Sequence, residues 1–249
     1  FEDLFGNIRA RFPGVHIHGL SVSEILYIAK ISKLSLEESL VRLRDAGMAT
    51  IPGAGGEILD DEARDIIAPY KDSTEEWLHV MRVAHGLGMR STATMMYGHV
   101  ETIEHRIKHL MRVRELQDET GGFTAFAAWS FQPDGTDLPI KKRSSGLEHL
   151  KMMALARLML DNVDGLQASW VTQGPKIAQV SLEYGVNDFG QTMMEENVVS
   201  AAGTSHYVNS EEICRLIRNA GYTPRLRNAY YDDMGDPDDL PRRAADATP

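Results

Sequence analysis

Ser91-Thr-Ala-Thr-Met-Met-Tyr-Gly-His-Val-Glu101 is the stretch on which the reading of the fold turns. It follows Gly88-Met89-Arg90, a helix-ending glycine and the first residues of a β-compatible run. It closes on Gly98-His99-Val100-Glu101, which reads as the opening of the next helix. A strand that empties through a glycine turn into a helix N-terminus is where α/β proteins place ligands.

Working outward, the same format recurs. Short β-like runs stand at Val15–Leu20, Met48–Ile51, Met89–Met96, Phe123–Phe131, Leu166–Val171 and roughly Met193–Ser200. Each is followed by a turn and an amphipathic helical pattern. Ser21-x-x-Glu24, Ser35-x-x-Glu38 and Ser73-x-x-Glu76 match the capping box, in which the two side chains satisfy orphan N–H groups reciprocally. Gly47, Gly88 and Gly221 follow amphipathic runs, as a left-handed helix end requires. The stripes Trp77/Met81/Ala84 and Ile103/Ile107/Leu110 are the expected core faces. Repeated βα units predict a parallel sheet, and six of them without a sheet-order reversal predict most of a TIM-like (β/α) barrel. The two units needed to complete eight are expected upstream of Phe1. An open doubly wound sheet is the competing architecture, but no G-x-G-x-x-G turn follows a strand. Residues 1–231 are expected to form one barrel, strands three to eight with a C-terminal helical cap. Residues 232–249, with six Asp against two Arg, are expected to be an acidic, flexible tail.

Composition narrows the function classes. A net charge of −10 argues against a nucleic-acid or anionic-membrane partner. There is no apolar run long enough for a membrane span. The single cysteine, Cys214, excludes an internal disulfide and suits a cytoplasmic setting.

Several polar groups fall near predicted strand ends. His16 and His18 alternate on one strand and face the same way, so a divalent-metal hydrolase is one possible reading, beside hydrogen-bonded core residues. Ile51-Pro-Gly-Ala-Gly-Gly-Glu57 is a glycine-rich turn that lets backbone approach a ligand, with Glu57 near the mouth. Trp129 and Gln132 pair an aromatic with an amide, suited to a planar heterocycle. Ser169, Gln173, Asn187, Asp188, Glu195, Glu196 and Asn197 form the richest polar set, able to bind a sugar or to supply a base.

Taken in order, Gly56-Glu-Ile-Leu59, Thr92–Glu101, Arg114–Phe123, Trp129-Ser-Phe-Gln-Pro133, Ala168-Ser-Trp-Val-Thr-Gln-Gly174, Asn187-Asp-Phe-Gly190 and Glu195-Glu-Asn-Val-Val199 form a collinear set. The chain thereby resembles the cyclic dehypoxanthinyl futalosine synthases, radical S-adenosylmethionine (SAM) enzymes of the futalosine route to menaquinone. Aminofutalosine synthases and deazaflavin (F0) synthases share much of the pattern. Trp129-x-Phe-Gln132-Pro and Ser169-Trp-Val-Thr-Gln173 lean towards the cyclase. The resemblance implies a barrel of the radical SAM type, with SAM and a [4Fe–4S] cluster as cofactors, dehypoxanthine futalosine as substrate, and flavodoxin or ferredoxin as electron donor. It implies that Glu57, Thr94, Met96, Gly98 and Glu101 contact SAM. Substrate contacts fall on His18, Trp129, Gln132, Ser169, Gln173, Asn187 and Asn197. Asp188, Glu195 and Glu196 are candidate bases. The C-x-x-x-C-x-x-C cluster motif of such enzymes is absent here, and its place is expected upstream of Phe1, so that the fragment alone is expected to be inactive.

Overall fold

A computed structural model of the chain describes residues 1–140, 142–195, 197–203 and 206–239. Its centre is a five-stranded sheet: β1 (Ile17–His18), β2 (Met48–Ile51), β3 (Arg90–Tyr97), β4 (Phe123–Ser130) and β5 (Gly165–Gln167). The strands lie in the order β1-β2-β3-β4-β5, every neighbouring pair parallel. A sheet that follows chain order without reversal is barrel-type winding, which settles the choice against a doubly wound sheet. The expected Met193–Ser200 strand is not one. The sixth position is taken earlier, by a single parallel bridge from Gln167 to Asp188. Leu166–Val171 is likewise shorter as a strand than expected, because the chain turns helical at Trp170.

The helices are α1 (Glu2–Arg11), α2 (Val22–Ser32), α3 (Leu36–Ala46), α4 (Asp61–Ile67), α5 (Thr74–Gly86), α6 (Ile103–Thr120), α7 (Gly146–Met159), α8 (Trp170–Gln173), α9 (Pro175–Ser181), α10 (Val198–Ala201) and α11 (Ser210–Asn219). The capping boxes at Ser21, Ser35 and Ser73 are all formed. Gly47, Gly88 and Gly221 take positive φ after their helices. On α5, Trp77, Met81 and Ala84 are fully buried, and Trp77 stacks on Phe123 with ring centroids 6.1 Å apart. Burying side chains of this size contributes roughly 1.5–3 kcal/mol each. On α6 the expected stripe is displaced. Leu110 is buried as expected and Ile107 is half-buried, but Ile103 is exposed, and His105, His109, Val113 and Leu116 join Leu110 on the inward face. The reason is the cap: Thr102, not Gly98, starts the helix, so Ile103 falls on the first, solvent-facing turn.

Strand β3 shows why this stretch organises the molecule. Ser91, Ala93, Met95 and Tyr97 are buried, alternating with half-buried Thr92, Thr94 and Met96. Thr92 and Thr94 face the barrel lumen. From β4, Ala125, Ala127 and Trp129 also line it. Small inward side chains on two central strands leave space where a TIM barrel would ordinarily be filled by branched residues.

After α9 the chain returns across the barrel. Gln179 Nε2 donates to Leu216 O at 2.8 Å, tying α11 to α9. Beyond it, β6 (Leu226–Arg227) and β7 (Asp233–Gly235) form an antiparallel ribbon. The expected tail boundary at residue 232 thus falls inside ordered structure. Asn228 Nδ2 donates to Asp232 at 2.8 Å, Arg225 pairs with Asp233 and Arg218 with Asp238, which uses three of the carboxylates counted as tail.

Candidate functional site in the barrel lumen

A cavity of about 320 Å³ opens through the lumen to the C-terminal ends of the strands. His18, Thr92, Thr94, Trp129 and Gln167 line it from the sheet, and Pro52–Ala54 and Ser169–Val171 form its rim. Arg227, Ala229 and Tyr231 of the ribbon close its other side.

The glycine-rich turn is held from both sides. Thr94 Oγ1 donates to Gly53 O at 2.7 Å, and Gly53 N donates to Thr92 Oγ1 at 2.9 Å. A Cβ at Gly53 would stand 2.7 Å from Thr92 O, and one at Gly56 3.0 Å from Thr94 O. These glycines therefore let the turn lie directly on the β3 backbone, which accounts for their absent side chains without a ligand. Beneath the turn, Arg64 Nη1 donates to Gly55 O (2.9 Å) and Ile58 O (3.3 Å), and Nη2 pairs with Asp72 at 3.1 Å. Nothing in the local sequence Asp61-Glu-Ala-Arg64 sets this arginine apart.

The residues expected to meet SAM divide. Thr94 reaches the cavity, and Met96 shares its side of the strand. Glu57 pairs with Lys71 at 3.0 Å, while its carbonyl receives Met96 N–H at 2.6 Å. Glu101 is a correction. Its side chain is wholly buried, accepts from Gly98 N (2.6 Å) and His99 N (2.8 Å), and pairs with Arg106 at 2.7 Å. It is the carboxylate cap of the Gly98 turn, with no capacity left for a ligand.

The expected substrate residues divide too. His18, Trp129 and Ser169 line the cavity. The Trp129 indole N–H is buried with no partner among the described residues. Gln132 Nε2 donates to Ser130 Oγ at 3.1 Å, and Gln173 Nε2 to the same oxygen at 2.6 Å. Asn187 is a second correction: its Oδ1 accepts from Leu166 N (2.8 Å) and Arg157 (3.0 Å), and its Nδ2 donates to Asp164 O. It braces the start of β5, at the end of the strand remote from the rim. Glu195 and Asn197 are exposed, 3.5 Å from each other, and neither lines the cavity. Glu196 lies outside the described residues. Asp188 is held by Arg227 at 2.6 Å and by Gly190 N–H, so it neutralises an arginine.

The ribbon residues were not foreseen. Arg227 lies over the Tyr231 ring at 4.0 Å, and burial beside Asp188 pushes the Tyr231 hydroxyl up to about 12. Only the basic-aromatic composition of residues 225–231 offered a signal.

His16 and His18 both reach Thr50. His16 Nε2 and His18 Nδ1 each lie 2.7 Å from its hydroxyl. Burial, with His16 and Arg227 nearby, lowers His18 to about 4. The described residues hold one group of three potential metal ligands, Asp60, Glu62 and His105, and it includes neither histidine. That group carries Lys108 at 3.4 Å from Asp60, a cation already in place. The H-x-H spacing is thus explained by one shared hydroxyl, and the metal-hydrolase reading loses its basis.

No helix among the described residues is long and apolar enough to cross a membrane. Residues 120–240 match the model of the CofH/MqnC C-terminal region. Cyclic dehypoxanthine futalosine synthase of Halalkalibacterium halodurans is 47% identical over 232 residues, 93% of this chain and 63% of that protein. Aminodeoxyfutalosine synthase of Thermus thermophilus is 42% identical over 240 residues, 94% of this chain and 64% of that protein. The chain thus spans a little under two thirds of the length of each of these relatives. Among solved structures, methylornithine synthase (PylB) superposes with a TM-score of 0.64 at 17% identity, covering 91% of this chain and 63% of that one, a likeness of fold. The parallel winding, the lumen site and an identity of 47% carried along nearly the whole chain agree with the match over residues 120–240, and place that part of the chain with the CofH/MqnC C-terminal family.

Proposed function

We propose that the chain is the substrate-facing part of a cytoplasmic radical SAM cyclase that converts dehypoxanthine futalosine to cyclic dehypoxanthinyl futalosine in menaquinone biosynthesis. The observation that carries this reading is the convergence on Ser130. Gln132 and Gln173 belong to the two sequence stretches that lean towards the cyclase, and both donate to the Ser130 hydroxyl. Trp129 and Ser169, from the same two stretches, line the adjoining lumen. Amides fixed at one hydroxyl have their carbonyl oxygens oriented, as recognition of a polar ribose-bearing substrate needs.

The chain's residues fit a nucleoside at the rim: the Pro52–Ala54 backbone, the Thr94 hydroxyl and the unpartnered Trp129 N–H lie around one opening. Bound SAM, with a reduced [4Fe–4S] cluster, would supply a 5′-deoxyadenosyl radical that takes hydrogen from the ribose 4′ carbon. The cluster does not fit this chain. Three thiolates are required, and the one thiol is Cys214, half-buried on α11, with burial raising its pKa. We assign the cluster ligands to the part of the relatives' length that this chain does not span. A flavodoxin or ferredoxin would deliver the electron. The lumen walls orient the ribose and limit access of water.

The experiment is an anaerobic assay of the full-length protein with dehypoxanthine futalosine deuterated at the ribose 4′ carbon. Deuterium in 5′-deoxyadenosine together with the cyclic product is the expected result. Turnover of only the aminofutalosine or deazaflavin substrates would refute the assignment and place the chain with a sister activity.

A further inference from the structure

One hydrogen-bonded chain crosses the barrel floor between two cavities. His18 lines the lumen. His16 lines a second cavity, of about 500 Å³, at the N-terminal ends of the strands, together with Arg9, Arg44 and Tyr230. Between them stands Thr50, its hydroxyl 2.7 Å from His18 Nδ1 and 2.7 Å from His16 Nε2. A hydroxyl carries one proton and accepts as well, so it can donate to one ring while accepting from the other. With His18 Nδ1–H donating to Thr50 and Thr50 donating to His16 Nε2, the Nε2 lone pair of His18 remains open towards the lumen.

We propose that His18 is the proton acceptor of the cyclisation and that Thr50 and His16 relay the proton to the outer face of the floor. The proposal rests on the cyclase reading. In that reaction the ring carbon that gains the new carbon–carbon bond must lose its hydrogen. Its C–H bond breaks, the proton goes to His18 Nε2, and the electron pair stays with the ring. One electron leaves to a one-electron acceptor of the iron–sulfur class, and the electrons that remain restore the aromatic sextet. His18 then gives its Nδ1 proton to Thr50, Thr50 gives its own to His16 Nε2, and His16 releases its Nδ1 proton to water in the outer cavity.

The surroundings favour this residue over the carboxylates. Asp188 is tied to Arg227, and Glu195 is exposed away from the lumen. The charged and titratable groups facing His18 are His16 and Arg227; burial first, and then these two groups, lower its pKa to about 4, and the Tyr230 ring meets His16 edge-on at 4.7 Å.

The test compares His18→Gln, Thr50→Val and His16→Gln in the full-length, cluster-reconstituted enzyme with the 4′-deuterated substrate. Deuterium should still reach 5′-deoxyadenosine in all three. Cyclic product should fall about 10²–10⁴-fold in His18→Gln, the range of general-base catalysis, and by less in the two relay variants. Imidazole ¹⁵N spectra give a reading independent of turnover. They should show Nδ1–H tautomers for both rings, and Thr50→Val should move both signals. Unchanged product formation in all three variants overturns the proposal, as does a Thr50→Val spectrum identical to the parent's. Loss of deuterium transfer together with product in His18→Gln also overturns it, by making His18 a substrate-positioning residue. A parent enzyme that moves no deuterium from the substrate refutes the cyclase reading itself.

Discussion

Replacing Arg64 by methionine should loosen the turn that rims the site, although Arg64 does not line the cavity. The Arg64 side chain is 4% exposed and that of its partner Asp72 1%. Its guanidinium also donates to the carbonyls of Gly55, Ile58 and Asp72. Methionine preserves much of the aliphatic stem but leaves a buried carboxylate with Ser23 as its remaining side-chain donor. Breaking a buried pair by removing one partner costs about 3–5 kcal/mol. The stranded carbonyls act within that figure and are not added to it, because the groups share one network. Asp72→Asn in the same background removes the uncompensated charge, so the double variant should be less destabilised than the sum of the singles by about 1–3 kcal/mol. Denaturant unfolding of parent, singles and double closes the cycle. Amide exchange at Gly53, Gly55 and Gly56 reports the turn directly and should rise in Arg64→Met. A loss below about 1 kcal/mol with unchanged exchange would refute this account of the turn.

Two further outcomes follow from buried groups and close contacts. Burial lowers His85 and His149 to about 4 and His109 to about 3, so the unfolded chain takes up protons first as pH falls. Stability should be full above about pH 6.5 and decline towards pH 4, by up to about 1.4 kcal/mol per pH unit for each histidine; a flat melting temperature between pH 7 and 4.5 would contradict it. Gly53→Ala would press a Cβ against the Thr92 and Ala93 backbone, and an overpacked site of this kind typically costs about 1–3 kcal/mol. Unfolding should show that loss and SAM binding should weaken, whereas a neutral effect on both would mean the turn does not rest on β3.

The helix starts were legible in the sequence because a capping box is a local device. Ser21, Ser35 and Ser73 each need only a glutamate three residues on, and all three boxes form. Strand β3 was legible for the same kind of reason, since its side chains alternate faces over eight residues. Two of the expectations that failed share a different feature. Asn187 and Glu101 are polar residues near strand ends, and composition cannot distinguish a polar group facing a cavity from one consumed by nearby backbone. The expected strand at Met193–Ser200 failed because its apolar residues come as two short pairs, Met193-Met194 and Val198-Val199, split by Glu195-Glu-Asn197, and pairs so short carry no mark separating strand from short helix or loop.

What the sequence by itself determined is the succession of βα units, their caps, and which residues of each strand share a face. Those properties depend on neighbours within one turn or one pleat. The tertiary structure alone decided which faces meet. His16 and His18 were recognisable as a pair, but their common partner Thr50 stands on the next strand, set by the register between β1 and β2. Arg227 reaches the lumen because the ribbon turns back across the barrel, and Arg64 supports the glycine turn because α4 packs beneath it. Local periodicity fixes the direction of a side chain relative to its own element. Whether that direction ends at a lumen, an ion pair or a backbone carbonyl depends on how distant elements close around it.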